Sequence, residues 1–402
     1  MFALPFKRSD FRRQIETELT SNILPFWMAQ GMDRVHGGFY GAVTNDLKVQ
    51  DEVPRSAILA ARILWTYATA FRRTGMDAYQ AVARRAYETL STTFWDREHG
   101  GVFWQVGVKG VPVVDRKVHY AQAFAIYGLS AYYRATRESE SLALAQRLFD
   151  LLEAHAYDPA HQGYTEGSGR AWETLGDVRL SAKDLDCRKS MNTMLHLLEA
   201  YTELWRAWGE ETLRVRLQST LETFLGQIID RETGHLQLFF DERWRPLSRA
   251  ISYGHDIEAS WLLVEAAEAL GEPELMERVR AVALQLAAAV LREGVDEDGS
   301  LFYEGGPDGP HRGGKEWWGQ AEAVVGFYNA FQLGGGEHYA AAAYRCWRTI
   351  EEKWIDRQHG DWFKRLHRDG SPDEGTFKIG PWEGPYHHSR ACFEMLDRLE
   401  RS

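Results

Sequence analysis

The chain is short of cysteine, of basic charge and of long apolar runs. Only three cysteines occur in 402 residues, Cys187, Cys346 and Cys392. They are odd in number and lack paired metal spacing, which excludes a disulfide framework and a zinc ribbon. Lys and Arg total 47 against 58 Asp and Glu, for a formal net charge of −11. That balance argues against nucleic acid or an anionic membrane as the main partner, and against a heavily phosphorylated substrate. No apolar stretch reaches the ~18 residues of a membrane-spanning helix, and the opening Met-Phe-Ala-Leu-Pro-Phe-Lys is too quickly polar for a signal peptide. A cytoplasmic protein, monomer or homodimer, is expected. No Pro/Ser-rich linker or low-complexity tract interrupts the sequence, so one domain over residues 1–402 is expected.

What is abundant is aromatic: 15 Trp, 17 Tyr and 19 Phe. Aromatic walls suit the apolar faces of a sugar, although most of these rings have packing between helices as the simpler use.

An acidic turn recurs six times. Its copies are Asp33-Arg-Val-His-Gly-Gly-Phe39, Asp96-Arg-Glu-His-Gly-Gly-Val102, Asp158-Pro-Ala-His-Gln-Gly-Tyr164, Asp230-Arg-Glu-Thr-Gly-His-Leu236, Asp296-Glu-Asp-Gly-Ser-Leu-Phe302 and Asp356-Arg-Gln-His-Gly-Asp-Trp362. Successive copies start 63, 62, 72, 66 and 60 residues apart, so one supersecondary unit is written six times. Between copies lie two helix-length patterns. Residues 56–74 are apolar on most faces, whereas 80–94 are amphipathic with Arg84, Arg85 and Glu88 on a wet side. The Gly-rich turn reads as a short hairpin. No terminal unit looks like a polar cap, so a closed ring is preferred to an open solenoid. The predicted fold is all-α: an (α/α)6 barrel of six helix pairs, with short β-hairpins at one end.

Inner helices should be apolar, so their polar residues carry the information. Near the starts of successive inner helices fall Arg62, Tyr120, Asn192 with His196, His255, Trp318 and His387. Arg62 places a permanent charge in an apolar helix, where it needs an ion pair or a wet cavity. Glu258 follows His255 by three residues and so shares its helical face, where it could orient the imidazole or form an ordinary salt bridge. His387 and His388 are adjacent and cannot both face the cavity. His196 could equally be a satisfied core histidine. Metal ligation is disfavoured, because no His-Glu-x-x-His or third ligand at a recognised spacing occurs.

The segments Lys189-Ser-Met-Asn-Thr, Ser252-Tyr-Gly-His-Asp-Ile-Glu-Ala-Ser-Trp-Leu-Leu263, Lys315-Glu-Trp-Trp-Gly-Gln-Ala-Glu322 and Gly380-Pro-Trp-Glu-Gly-Pro-Tyr-His387 resemble the N-acylglucosamine 2-epimerase superfamily, most closely its cellobiose 2-epimerases. The resemblance spans essentially the whole chain. It implies C2 epimerisation of the reducing-end sugar of a β-1,4-linked disaccharide, with no cofactor. It also implies that His255 and His387 are the acid/base pair, that Arg62 stabilises an enediolate, that Glu258 supports His255 and that His196 assists ring opening. Tyr120, Asn192, Trp318, Trp382 and Glu322 would hold the sugar. Return of the proton to C1 would give a ketose, so a slow aldose-to-ketose side reaction is expected.

Three positions depart from the cellobiose pattern: Met194 stands where a histidine is usual, Glu383-Gly384 where Lys-Cys is common, and His388 where Asn is usual. A monosaccharide 2-epimerase or isomerase of the same superfamily is therefore an alternative, with Trp172 and residues 177–189 as candidates for meeting a second sugar. An (α/α)6 glycoside hydrolase, using Glu258 and Glu322, and a noncatalytic sugar-binding protein are more distant readings.

Overall fold

The computed structural model describes residues 4–179 and 185–401. Six inner helices form a ring: Ala57–Thr74, His119–Thr136, Met191–Trp208, Tyr253–Leu270, Trp317–Ala330 and Tyr386–Arg401. Each packs on its neighbours, and the last returns to pack on the first. Every residue from Ala57 to Ala70 is buried, as is every residue from His119 to Tyr132. That explains why these segments are apolar all round. The outer helices bury one stripe only, as in Asp77–Glu88, where Tyr79, Val82, Ala83 and Ala86 face inward. Burying a large side chain of such a stripe contributes about 1.5–3 kcal/mol.

Local sequence sets the helix limits. Ser56 Oγ accepts from the Ile58 and Leu59 amides, and Ser190 Oγ from that of Thr193, which satisfies donors that the first turn leaves free. Three inner helices stop at a left-handed glycine, Gly75, Gly209 and Gly271.

The ring closes in two ways. The first helix, Arg8–Glu18, is the outer partner of the last inner helix, with Arg12 donating to Glu400 at 2.6 Å. The strand pairings run around the same ring. Arg55–Ser56 pairs with Gln105–Val106, Lys117–Val118 with Gly167–Ser168, Lys189–Ser190 with Phe239–Phe240, and Lys315–Glu316 with Arg365–Leu366. Val43 then pairs with Ile379, joining the first unit to the last. This is the predicted (α/α)6 barrel. The expected hairpins are refined in detail, since each acidic turn closes on a single antiparallel bridge, such as Trp95 with Val102, and most short ladders join neighbouring units.

The recurring aspartate now has a cause. Its Oδ1 caps the turn, as Asp96 does for the Glu98 and His99 amides. Its Oδ2 takes a cation from just before the next inner helix: Arg55 on Asp33, Lys117 on Asp96 at 2.8 Å, Lys189 on Asp158 at 2.9 Å, Lys315 on Asp296 and Lys378 on Asp356, both at 2.6 Å. The fourth unit differs, with Ile251 at that place before its helix. The latch thus ties five of the six hairpins to the mouth of the ring, where the inner helices begin.

Candidate active site

At that mouth His255, His387 and Trp318 come together. The Trp318 ring centroid lies 4.7 Å from that of His255 and 5.5 Å from that of His387, so both imidazoles border one indole. Their other contacts differ. His387 Nδ1 lies 2.7 Å from Glu322 Oε1, whereas His255 Nδ1 lies 2.7 Å from Ser252 Oγ. Burial lowers both from the usual imidazole range, His255 to about 3 with a further push from His196, and His387 well below 6.5 with pushes from Arg62 and Arg390. In the unliganded protein both rings are thus biased toward the neutral form. His388 faces away and meets Asp361 Oδ1 at 2.7 Å, in accord with the expectation that only one of the adjacent histidines faces inward.

Arg62 is buried and, among the described residues, no carboxylate bonds to it. Its guanidinium donates to the Trp382 carbonyl at 2.7 Å and to the Tyr120 hydroxyl at 3.0 Å. It lies 4.6 Å over the Phe124 ring and 5.2 Å over that of Tyr386. Aromatic faces offset part of its desolvation, but Nε remains without a partner. Of the two sequence readings, ion pair or cavity-facing charge, the first finds no bonded carboxylate among the described residues, and the charge rests on neutral oxygens and aromatic faces.

Tyr120 and His196 pack edge to face at 4.9 Å, and Tyr120 reaches Trp382 at 5.8 Å. His196 Nδ1 lies 3.0 Å from Glu199 Oε2. Asn192 and His255 line a cavity of about 400 Å³ with Phe239, Tyr303 and Arg365, and Asn192 Oδ1 is buried without a partner. A larger cavity of about 610 Å³ opens at the other end of the ring, lined by Arg134, Glu203, Arg206 and Glu265. Several of its charges are paired, Arg134 with Glu203 and Arg206 with Glu265, and the imidazoles lie at the hairpin end, so the chemistry belongs to the smaller cavity.

Two expectations need correction. Glu258 does not orient His255. One turn deeper than His255, it receives the Arg390 guanidinium, while His255 turns back to Ser252 on the preceding turn. Glu322 is not at the cavity surface either. It is fully buried, with Oε1 on His387 and Arg390 and Oε2 accepting from the Trp261 indole at 3.1 Å. Trp172 is also spoken for, since its indole donates to the His99 carbonyl and its ring stacks on His119 and His155. Of the polar stretch 177–189, residues 180–184 lie outside the described residues.

Arg390 is the residue that sequence reasoning missed. It is buried, and bonds Glu199, Glu258, Glu322 and the Tyr386 hydroxyl. Three carboxylates thereby share one guanidinium. Burial and the neighbouring Glu322 raise Glu258 to about 7, whereas Glu199, against its burial, is held down to about 2, chiefly by Arg390. A signal for it existed. Arg62, His196, Glu258 and Glu322 are each the sixth residue after the residue that precedes their helix, and Arg390 follows His387 as Glu258 follows His255, by three. Ligand atoms of Glu258, Glu322 and His387 lie within 4.8 Å of one another, a spacing that would suit a metal ion, but Arg390 already supplies the positive charge to both carboxylates.

Comparison with known proteins agrees in sequence and in fold. The family model of N-acylglucosamine 2-epimerase (GlcNAc 2-epimerase) matches residues 38–391. The chain is 43% identical over 386 residues to a cellobiose 2-epimerase of Bacteroides fragilis, covering 96% of this chain and 98% of that protein. It is 38% identical to one from Ruminococcus albus, with the same coverage. The solved cellobiose 2-epimerase of Bacillus thermoamylovorans superposes with a TM-score of 0.93 at 36% identity, covering 97% of this chain and 100% of that one. The chain belongs to the N-acylglucosamine 2-epimerase family.

Proposed function

We propose that this carbohydrate epimerase inverts C2 of the reducing-end sugar of cellobiose and related β-1,4-linked disaccharides, with His255 and His387 as the proton-transfer pair. The observation that carries the reading is Arg62, a buried cation that no carboxylate bonds among the described residues, held on aromatic faces and close enough to His387 to push its imidazole toward the neutral form. Binding a neutral sugar needs no such charge. Stabilising an oxyanion that forms during reaction does.

A closed pyranose has no acidic C–H, so reaction begins with ring opening, in which His196, backed by Glu199, moves a proton between the ring oxygen and O1. In the aldehyde the C2 proton is acidified by the carbonyl. One neutral imidazole takes it, the electron pair moves into the C1–C2 bond, and the negative charge on O1 and O2 falls beside Arg62. The opposite ring, which has taken up a proton from water as the substrate binds, returns it to the other face of C2 and becomes neutral. One proton has passed between the two rings, and exchange with water restores them. Glu322 behind His387 and the enediolate itself favour the charged ring during turnover. Trp318, Trp382, Tyr120 and Asn192 hold the sugar.

The missing histidine of the disaccharide pattern bears little on this reading, because Met194 is fully buried. The test is incubation of the purified protein with cellobiose and with mannose, followed by chromatography. Glucosyl-mannose formed without free glucose supports the proposal. Release of glucose would favour hydrolysis, and turnover of mannose alone would favour a monosaccharide epimerase.

A further inference from the structure

Both proposed proton-transfer histidines are followed directly by a buried, titratable residue that reaches away from the cavity. Asp256, next to His255, accepts from the Leu236 amide at 2.8 Å through Oδ1 and meets His235 Nδ1 at 2.7 Å through Oδ2. His388, next to His387, meets Asp361 Oδ1 at 2.7 Å. All four side chains are buried. His235 and Asp361 lie in the acidic turns of the fourth and sixth units, so each pair joins the start of an inner helix to the hairpin before it.

The same place in two other inner helices is held without charge. Gln122 accepts from the Val102 amide at 2.8 Å and donates to its carbonyl at 2.9 Å, and Gln320 does the same to Leu301 at 2.7 and 2.9 Å. In the remaining two helices Ala60 and Met194 occupy it, with no polar group to offer. A neutral glutamine therefore suffices to tie a helix to its hairpin. An imidazole–carboxylate version occurs in the two units that carry the proton-transfer pair, with its polarity reversed: carboxylate on the helix in one, imidazole on the helix in the other.

Buried imidazole–carboxylate pairs are a costly way to gain stability, and their best use is to impose one arrangement. Here each is further held. His235 Nε2 also meets Glu293 at 3.1 Å, and Asp361 Oδ2 receives Lys364 at 2.8 Å and the Trp27 indole at 3.2 Å. The tether acts one residue from the imidazole, so a shift of the helix start moves the reacting nitrogen with it.

We infer that Asp256 and His388 are positioning residues that fix His255 and His387, each through an imidazole–carboxylate tether to the preceding hairpin, His235–Asp256 and Asp361–His388. The inference rests on the proposed role of the two histidines. It deepens that role by assigning the geometry of proton transfer to four residues outside the cavity.

The test compares His235→Gln, Asp256→Asn, His388→Ala and His388→Asn with wild type for kcat and KM on cellobiose and for melting temperature, with Gln320→Ala as the reference. Loss of an imidazole–carboxylate tether should lower kcat by about 10²-fold, the cost of a ~1 Å misplacement, with KM changed less than about threefold. His388→Asn, which restores a neutral hydrogen-bonding group, should recover most of the kcat lost in His388→Ala. Gln320→Ala, next but one to the sugar-holding Trp318, should act on KM instead. Lower melting temperatures with kcat intact would overturn the inference and leave the pairs merely structural. If Asp256→Asn does not fold, His235→Gln decides, because it removes the imidazole–carboxylate pair and keeps the Leu236 bond. Wild type that neither epimerises cellobiose nor exchanges its C2 proton would refute the functional reading itself, a different outcome from an active wild type with unaffected variants.

Discussion

Glu322 stands behind His387, its Oε1 2.7 Å from Nδ1, on the side of the ring remote from the cavity. The corresponding group behind His255 is the Ser252 hydroxyl, also at 2.7 Å. A carboxylate favours an imidazolium and a hydroxyl scarcely does, so the two proton-transfer groups are unequal by construction. Glu322→Gln keeps the shape and removes the charge. It should lower kcat by roughly 10- to 10²-fold with little effect on KM, within the usual worth of a positioned acid–base group. Ser252→Ala should cost less, about tenfold at most, as expected of a neutral bond of ~1 kcal/mol. Steady-state kinetics on cellobiose in both directions separates the two.

Arg62 should be expensive for stability and necessary for turnover. Arg62→Met removes a buried charge that, among the described residues, no carboxylate bonds, so the melting temperature should hold or rise. Activity should fall by about 10²–10³-fold, as when an oxyanion donor is removed. Calorimetry and kinetics on the same sample check both halves, and a large loss of stability would show that the guanidinium is structural.

Arg390 should behave in the opposite way. It is the shared partner of Glu199, Glu258 and Glu322, so Arg390→Met strands buried carboxylates and should destabilise the protein by about 3–5 kcal/mol. The midpoint of urea unfolding measures this directly. The loss should shrink as pH falls toward 5, because Glu258, raised to about 7, then carries a proton.

Stability should fall in mild acid through histidines held neutral by burial. His119 is lowered to about 4 and His255 to about 3 from 6.5. On acidification the unfolded chain takes up these protons first. The contribution is therefore whole above about pH 6.5 and is lost as pH falls toward the folded values. Urea midpoints at pH 7.5 and 5 should drop more for wild type than for His119→Gln. Equal drops would exclude this histidine as a source of acid sensitivity.

The ring was legible because its unit is written six times, with Asp33, Asp96, Asp158, Asp230, Asp296 and Asp356 marking each turn. Where the chain closes was less so. That Arg8–Glu18 serves as the outer partner of Tyr386–Arg401 depends on which end of the repeat supplies the missing helix, and periodicity alone does not say. At the site, the polar positions of apolar helices pointed to Arg62, His196, His255 and His387, because charge and imidazole in a buried helix need a reason. Glu258 was misread for a specific cause. Spacing of three places two residues on one helical face, but Glu258 sits one turn deeper, within reach of Arg390 on another helix. Contacts across the ring, such as Arg390 with Glu199, span 191 positions of sequence and leave no local trace. Only aligning the inner helices on one another would have shown them.

The most direct test is a proton NMR time course of the wild-type protein with cellobiose in D2O and no added cofactor. The account predicts loss of the C2 proton signal as deuterium enters at C2, in step with the appearance of glucosyl-mannose, and neither change in His387→Phe. Epimer formed with its original C2 proton fully retained, or no exchange and no epimer at all, would contradict proton transfer by this pair of histidines.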